Sequence, residues 1–182
     1  GGPIFLASPP DAPLGSTWVE FRGAVEAPMY QHGTTSFSEW QSIRNRSAPW
    51  AEISSDQFIM SVPSSEIRGL DDPEELMDFW VEALEMEHEL YGFMPWPRIE
   101  RAAFDIQISA GWMHSGYPFM AHLVSAQEAV DLEHMESEGS WGMFHELGHN
   151  HQWNPSRLPG TTEATCNFCL LYTSDAADES LC

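Results

Sequence analysis

Hydrophobic positions recur along this chain with two different periods, and each predicts a different kind of element. Between Pro73 and Tyr91 the residues Leu76, Phe79, Trp80, Ala83 and Leu90 fall at helical spacing and make one apolar stripe, while Glu74, Glu82, Glu85 and Glu89 fall outside it, facing water. Asp72, Pro73 and Glu75 form a start signal, so the pattern predicts a helix from there to about Tyr91. Residues 3–7, 17–25 and 57–62 read as strands, with Val19 and Phe21 sharing a face and Phe58 to Met60 nearly continuously apolar. The first third is therefore expected to be mainly sheet. Gly92, Pro95 and Pro97 predict a loop over Tyr91 to Pro97. Alternation returns at residues 104–108, a further strand, and Ser125 to Met135 reads as a short helix. The sum is an α+β fold with a β-rich amino-terminal part and a helical carboxy-terminal part.

The candidate chemistry sits in that helical part. Residues 145–149 read His-Glu-Leu-Gly-His, and Glu163 follows fourteen positions after the second histidine. Four residues advance a helix by about 400°, so His145 and His149 stack on one face and can share one ion. Imidazole suits zinc, and a catalytic zinc takes three protein ligands and keeps a position open for water. Glu163 supplies the third ligand. Glu146 is then free to take a proton from the attacking water and hand it to the leaving amine. Ser140 is placed to cap this helix, Trp141, Phe144 and Leu147 are expected to pack inward, and Asn154-Pro155 is expected to end it. Pro155, Pro159 and Gly160 then turn the chain into a second short helix, capped by Thr161, that presents Glu163 in its first turn.

Charge narrows the partners. The formal net charge is -21, from 28 acidic residues against 7 basic ones, all arginine. Nucleic acid is excluded as a natural partner, and an anionic glycan would have to be recognised by local contacts rather than by the overall field. No run of eighteen apolar residues is present to span a membrane. His32, His88, His122 and His134 lack ligand spacing to one another, and His151, about 200° round the helix from His149, is assigned a structural or supporting role. The three cysteines, Cys166, Cys169 and Cys182, cluster at the end of the chain and do not form a disulfide framework.

The stretch Phe144-His-Glu-Leu-Gly-His-Asn-His-Gln152, followed by Trp153 and by Gly160-Thr-Thr-Glu-Ala-Thr-Cys-Asn167, closely resembles the enhancin-like, mucin-targeting zinc metallopeptidases of the gluzincin group. The resemblance continues upstream through Ala48-Pro-Trp-Ala-Glu52, Phe104-Asp-Ile-Gln-Ile-Ser109 and His114-Ser-Gly-Tyr-Pro118. It implies a zincin-like catalytic domain with His145, His149 and Glu163 as zinc ligands and Glu146 as general base. It also implies cleavage of O-glycosylated, mucin-like proteins, accessory carbohydrate-binding domains in the full-length polypeptide, and a secreted or cell-surface location. A similar domain occurs in vertebrate channel-associated factors. By the same resemblance, the strand at 104–108 is the expected substrate-pairing edge beside the active-site helix. His114 and Tyr117, in the Gly- and Pro-containing loop after it, are the candidate substrate contacts.

Residues 1–168 are expected to be a partial catalytic domain, cut at both ends. The run from Cys169 onward resembles a translated sequencing-adapter read-through, so residues 169–182 are expected to be non-native. Two other functions stay open at this level. One is a glycoprotein-binding or regulatory module with a vestigial or structural zinc site, which a fourth protein ligand such as Cys166 would close. The other is a zinc peptidase with no need of glycans.

Overall fold

The computed structural model describes residues 2–6, 15–92, 98–152 and 157–167. Its centre is a six-stranded mixed sheet in the order β1-β2-β3-β4-β6-β5. The strands are β1 (Met29–Gln31), β2 (Trp50–Ser54), β3 (Phe58–Pro63), β4 (Glu100–Asp105), β5 (Met113–His114) and β6 (Phe119–His122). β2 and β3 form an antiparallel hairpin in which Ala51 and Ile53, then Phe58, Met60 and Val62, alternate into the core. The Ser55 hydroxyl closes its turn by accepting from the backbone N–H groups of Gln57 (3.1 Å) and Phe58 (3.0 Å). β4 and β6 add in parallel, and β5 adds antiparallel to β6 as the outer strand.

The helices are α1 (Phe37–Ile43), α2 (Ser64–Ile67), α3 (Pro73–Tyr91), α4 (Ser125–Ala129), α5 (Leu132–Ser137), α6 (Trp141–His151) and α7 (Thr162–Thr165). α3 starts and stops as its sequence predicts. The Asp72 carboxylate accepts from the N–H of Glu75, Pro73 opens the first turn, and Gly92 ends the helix at φ 66°, a left-handed conformation that favours glycine. Its stripe, with Leu76 and Trp80 fully buried, packs on β2 and β3 and against α6. An aromatic chain crosses the layers: the Phe58 ring lies 5.0 Å from Trp80, and Trp80 lies 6.0 Å from Phe144 of α6. The Trp80 indole N–H also donates to the Ala129 carbonyl at 3.1 Å, so this one side chain ties sheet, α3, α4 and α6 together.

Several expectations are corrected. Residues 3–6 and 17–25 make no strand, and residue 7 lies outside the described residues. Trp18, Val19, Phe21 and Val25 are instead exposed, because a period of two marks a segment able to pair but supplies no partner, and the edge beside β2 is taken by β1. α1 and β1 take part of the expected sheet region. The strand expected at 104–108 runs earlier, from Glu100 to Asp105, and lies inside the sheet between β3 and β6; the edge is β5. Residues 125–135 contain two helices, because Asp131 breaks the first and caps the second by accepting from the N–H of His134. Glu74 does not simply face water: its carboxylate accepts from the Tyr30 hydroxyl and from the Gly33 N–H. The expected stop at Asn154-Pro155, the loop at 93–97 and the tail at 169–182 lie outside the described residues.

Candidate metal centre

α6 carries His145, Glu146 and His149. Met143, Phe144, Leu147 and Gly148 bury its inner side, and Ser140 occupies the cap position with extended backbone but makes no capping bond through its hydroxyl. Trp141 departs from the expected inward packing. It is 62% exposed and stacks its ring on His145, 4.5 Å between centroids. α7 brings in Glu163, and Thr161 at its start also makes no side-chain cap, its hydroxyl donating to the Leu158 carbonyl instead.

The three candidate ligands converge. The Nε2 atoms of His145 and His149 lie 3.2 Å apart, and an Oε2 of Glu163 lies 3.3 Å from each. The hydrogen bonds behind the rings decide which nitrogens carry protons. Asn167 donates its amide N–H to the Glu163 carbonyl (2.8 Å), which turns its oxygen toward His145 Nδ1 at 2.7 Å. Gln152 donates its amide to the Thr162 carbonyl (2.6 Å), which turns its oxygen toward His149 Nδ1 at 3.2 Å. Each Nδ1 is therefore the donor, and in the neutral ring that leaves Nε2 as the lone pair. Two lone pairs and a carboxylate oxygen held this close repel unless a cation sits between them. Donors about 2.0–2.1 Å from a tetrahedral ion stand about 3.3–3.4 Å apart, so the triangle fits a small divalent metal. The imidazoles are largely buried while the Glu163 side chain is 76% exposed, so the centre opens to solvent on the carboxylate side. Glu146 is partly exposed on the same helix.

Cys166 lies within the same cluster, its Sγ and the three other donor atoms all within 4.8 Å of one another. Its position nevertheless rules it out as a fourth ligand in this geometry. Sγ is nearer His145 Nδ1 (3.4 Å) than Nε2 (3.8 Å), so it lies over the ring rather than beyond Nε2, where a shared ion must stand. Burial, reinforced by the Glu163 carboxylate, pushes this thiol up to about 11, and it points at the Glu163 carbonyl 3.1 Å away.

His114 lies in the edge strand β5, its ring held between the Ser109 hydroxyl and the Ser115 carbonyl, each 2.9 Å away. Tyr117 is half exposed, with the Arg98 guanidinium 3.9 Å from its ring centre, and precedes a cis bond to Pro118. Between them, Gly116 is clamped to α6: its N–H donates to Asn150 Oδ1 (2.8 Å) and its carbonyl accepts from Asn150 Nδ2 (2.9 Å). The segment holding both residues is thus fixed to the helix that carries the ligands.

Behind the site is a buried polar cluster that periodicity could have revealed. Glu87 falls on the same stripe as Trp80 and Ala83 and is only 1% exposed. Its carboxylate lies 2.8 Å from Nδ1 of the fully buried His151, which also lies 2.8 Å from the Leu147 carbonyl. Burial alone would lower the His151 pKa, but Glu87 and the Leu147 carbonyl lift it above its ordinary value. Glu100, also buried, accepts from Asn150, and burial holds its carboxyl above the usual range.

The family described as peptidase M60, enhancin and enhancin-like matches residues 23–180. TRPM8 channel-associated factor 2 of Bos taurus is 44% identical over 178 residues, 96% of this chain and 20% of that protein. The chain thus spans about a fifth of that relative's length. A functionally unknown conserved protein from Bacillus anthracis str. Ames superposes with a TM-score of 0.73 at 20% identity, over 82% of this chain and 34% of that one. The M60 catalytic domain of ZmpC from Clostridium perfringens, solved in complex with the sialyl T antigen, superposes with a TM-score of 0.61 at 12% identity, over 79% and 32% of the two chains. Those two structures share the fold.

Proposed function

The chain belongs to the M60 family of enhancin-like peptidases, and from that premise we propose that it is the catalytic part of a zinc-dependent endopeptidase acting on mucin-like O-glycosylated proteins at the cell surface or outside the cell. The observation that carries this reading is the convergence of two Nε2 lone pairs and the Glu163 carboxylate at 3.2–3.3 Å, with Glu146 on the same helix. Bound there, zinc would polarise the scissile carbonyl and favour attack by water near neutral pH. His145, His149 and Glu163 hold the ion, and the amides of Asn167 and Gln152 keep both imidazoles in the ligating tautomer. Glu146 takes the proton of the attacking water and returns it to the leaving amine. His114 and Tyr117, fixed to α6 through Asn150, contact the substrate. The glycan preference is supported by the ZmpC complex with its sialylated antigen.

A second reading is favoured by one observation: the 44% identical relative is named for association with a channel. In that reading the domain is a regulatory, glycoprotein-binding module. An open fourth position, to which the placement of Cys166 points, supports the catalytic reading over a structural site. Incubation of the full-length protein with a mucin before and after enzymatic O-glycan removal tests the choice. Cleavage of the glycosylated form alone is expected; equal cleavage of both would remove the glycan requirement, and none of either would favour the regulatory module.

A further inference from the structure

The helix that presents Glu163 has little to hold it. α7 is four residues long, has no buried residue within its span and lacks a side-chain cap, so its one apolar anchor is the buried Cys166 directly after it. Side-chain hydrogen bonds from other elements also reach it. Tyr91, the last residue of α3, donates its hydroxyl to the Thr165 carbonyl at 2.8 Å. Gln152, just past the end of α6, donates its amide to the Thr162 carbonyl (2.6 Å) and to the Thr165 hydroxyl (2.7 Å). The oxygen of that same amide accepts from the Nδ1–H of His149.

We propose that Gln152 is a positioning residue that latches α7 to the His149 imidazole, so that placing the third ligand and orienting the second are one event. The proposal rests on the metal-binding reading above and adds to it a device for assembling the site. The two ends of the amide serve different partners. Among the described residues its carbonyl end serves His149 alone, and a carboxylate would serve that end better, because a charged acceptor raises the basicity of a ligating imidazole. Its NH2 end, among the described residues, serves α7 alone, and a carboxylate there would face the Thr162 carbonyl oxygen with no proton between them. Gln152→Glu therefore separates the two roles by the sign of its effect. If Gln152 matters only as an acceptor, the variant binds metal more tightly; if it is a latch, the variant binds more weakly.

The test is the affinity of the full-length protein for Zn2+, measured by competition with a chromophoric chelator in wild type, Gln152→Glu and Thr165→Val. Thr165→Val removes one partner of the latch without touching an imidazole. The latch predicts that Gln152→Glu weakens zinc binding by about 10–100-fold and Thr165→Val by several-fold. It also predicts that Thr165→Val adds little in the Gln152→Glu background, because both break the same connection. Hydrogen exchange supplies a readout separate from affinity: zinc should protect residues 162–166 in wild type and fail to do so in Gln152→Glu. Equal or tighter zinc binding by Gln152→Glu, with α7 still protected, would overturn the latch. If Gln152→Glu does not fold, unchanged affinity in Thr165→Val overturns it alone. A wild type that binds no zinc would instead overturn the metal-binding reading itself.

Discussion

Replacing either member of the buried Glu87–His151 pair should destabilise the fold, but by unequal amounts, and the inequality can be worked out. The two side chains are 1% and 0% exposed and lie 2.8 Å apart, so removing one leaves the other in a medium that disfavours its charge. In His151→Leu the Glu87 carboxylate stays buried without the imidazole 2.8 Å away, and breaking a buried pair from that side costs about 3–5 kcal/mol. In Glu87→Leu the imidazole can fall back to its neutral form and keeps the Leu147 carbonyl as its partner, so what is lost is chiefly the 2.8 Å contact with the carboxylate, about 1.5–3 kcal/mol for a contact with a charged group. The double variant, with apolar groups on both sides, should be no worse than the milder single. Urea unfolding at pH 7, followed by tryptophan fluorescence, reads all three. His151→Leu is expected to lose about 3–5 kcal/mol and Glu87→Leu about 2. A larger loss in Glu87→Leu, or a double variant as unstable as the two losses added, would refute the reasoning.

Glu100→Gln should be more stable than wild type near neutral pH and equal to it below about pH 4. A carboxyl raised by burial binds its proton more tightly in the folded state, so wild-type stability falls as pH rises from the ordinary value through the folded one; thermal melts of both forms across pH 4–8 check this. Asn150→Ala should release Gly116 from α6, seen as faster amide exchange over residues 114–118, with the global melting temperature lowered by only a few degrees.

What the sequence made legible follows from the range of each interaction. The α3 boundaries were readable because Asp72, Pro73 and Gly92 act within one turn of their own helix. The convergence of His145, His149 and Glu163 is readable because two of them share a helical face and the third follows a marked reversal. Pairing is a different matter. Residues 17–25 alternate like a strand, yet the edge beside β2 goes to β1, a choice made between segments rather than within one. The family resemblance puts the edge beside the site at residues 104–108, whereas it is the two-residue β5, too short for periodicity to register. Gln152 and Asn167 carry no signal in the sequence, because an amide has no signature until its partners are known. Glu87 is discoverable as an acid on an apolar stripe; the helical position of His151 gives it a structural or supporting role but does not name Glu87 as its partner.

Hydrolysis by the proposed mechanism depends on Glu146. Glu146→Gln is nearly isosteric but cannot take the proton of the attacking water, so the full-length variant should bind as much zinc as wild type and melt within a degree or two of it. Cleavage of an O-glycosylated mucin by that variant should fall by about 10²–10⁴-fold. Turnover equal to wild type, with zinc content unchanged in both proteins, would contradict it.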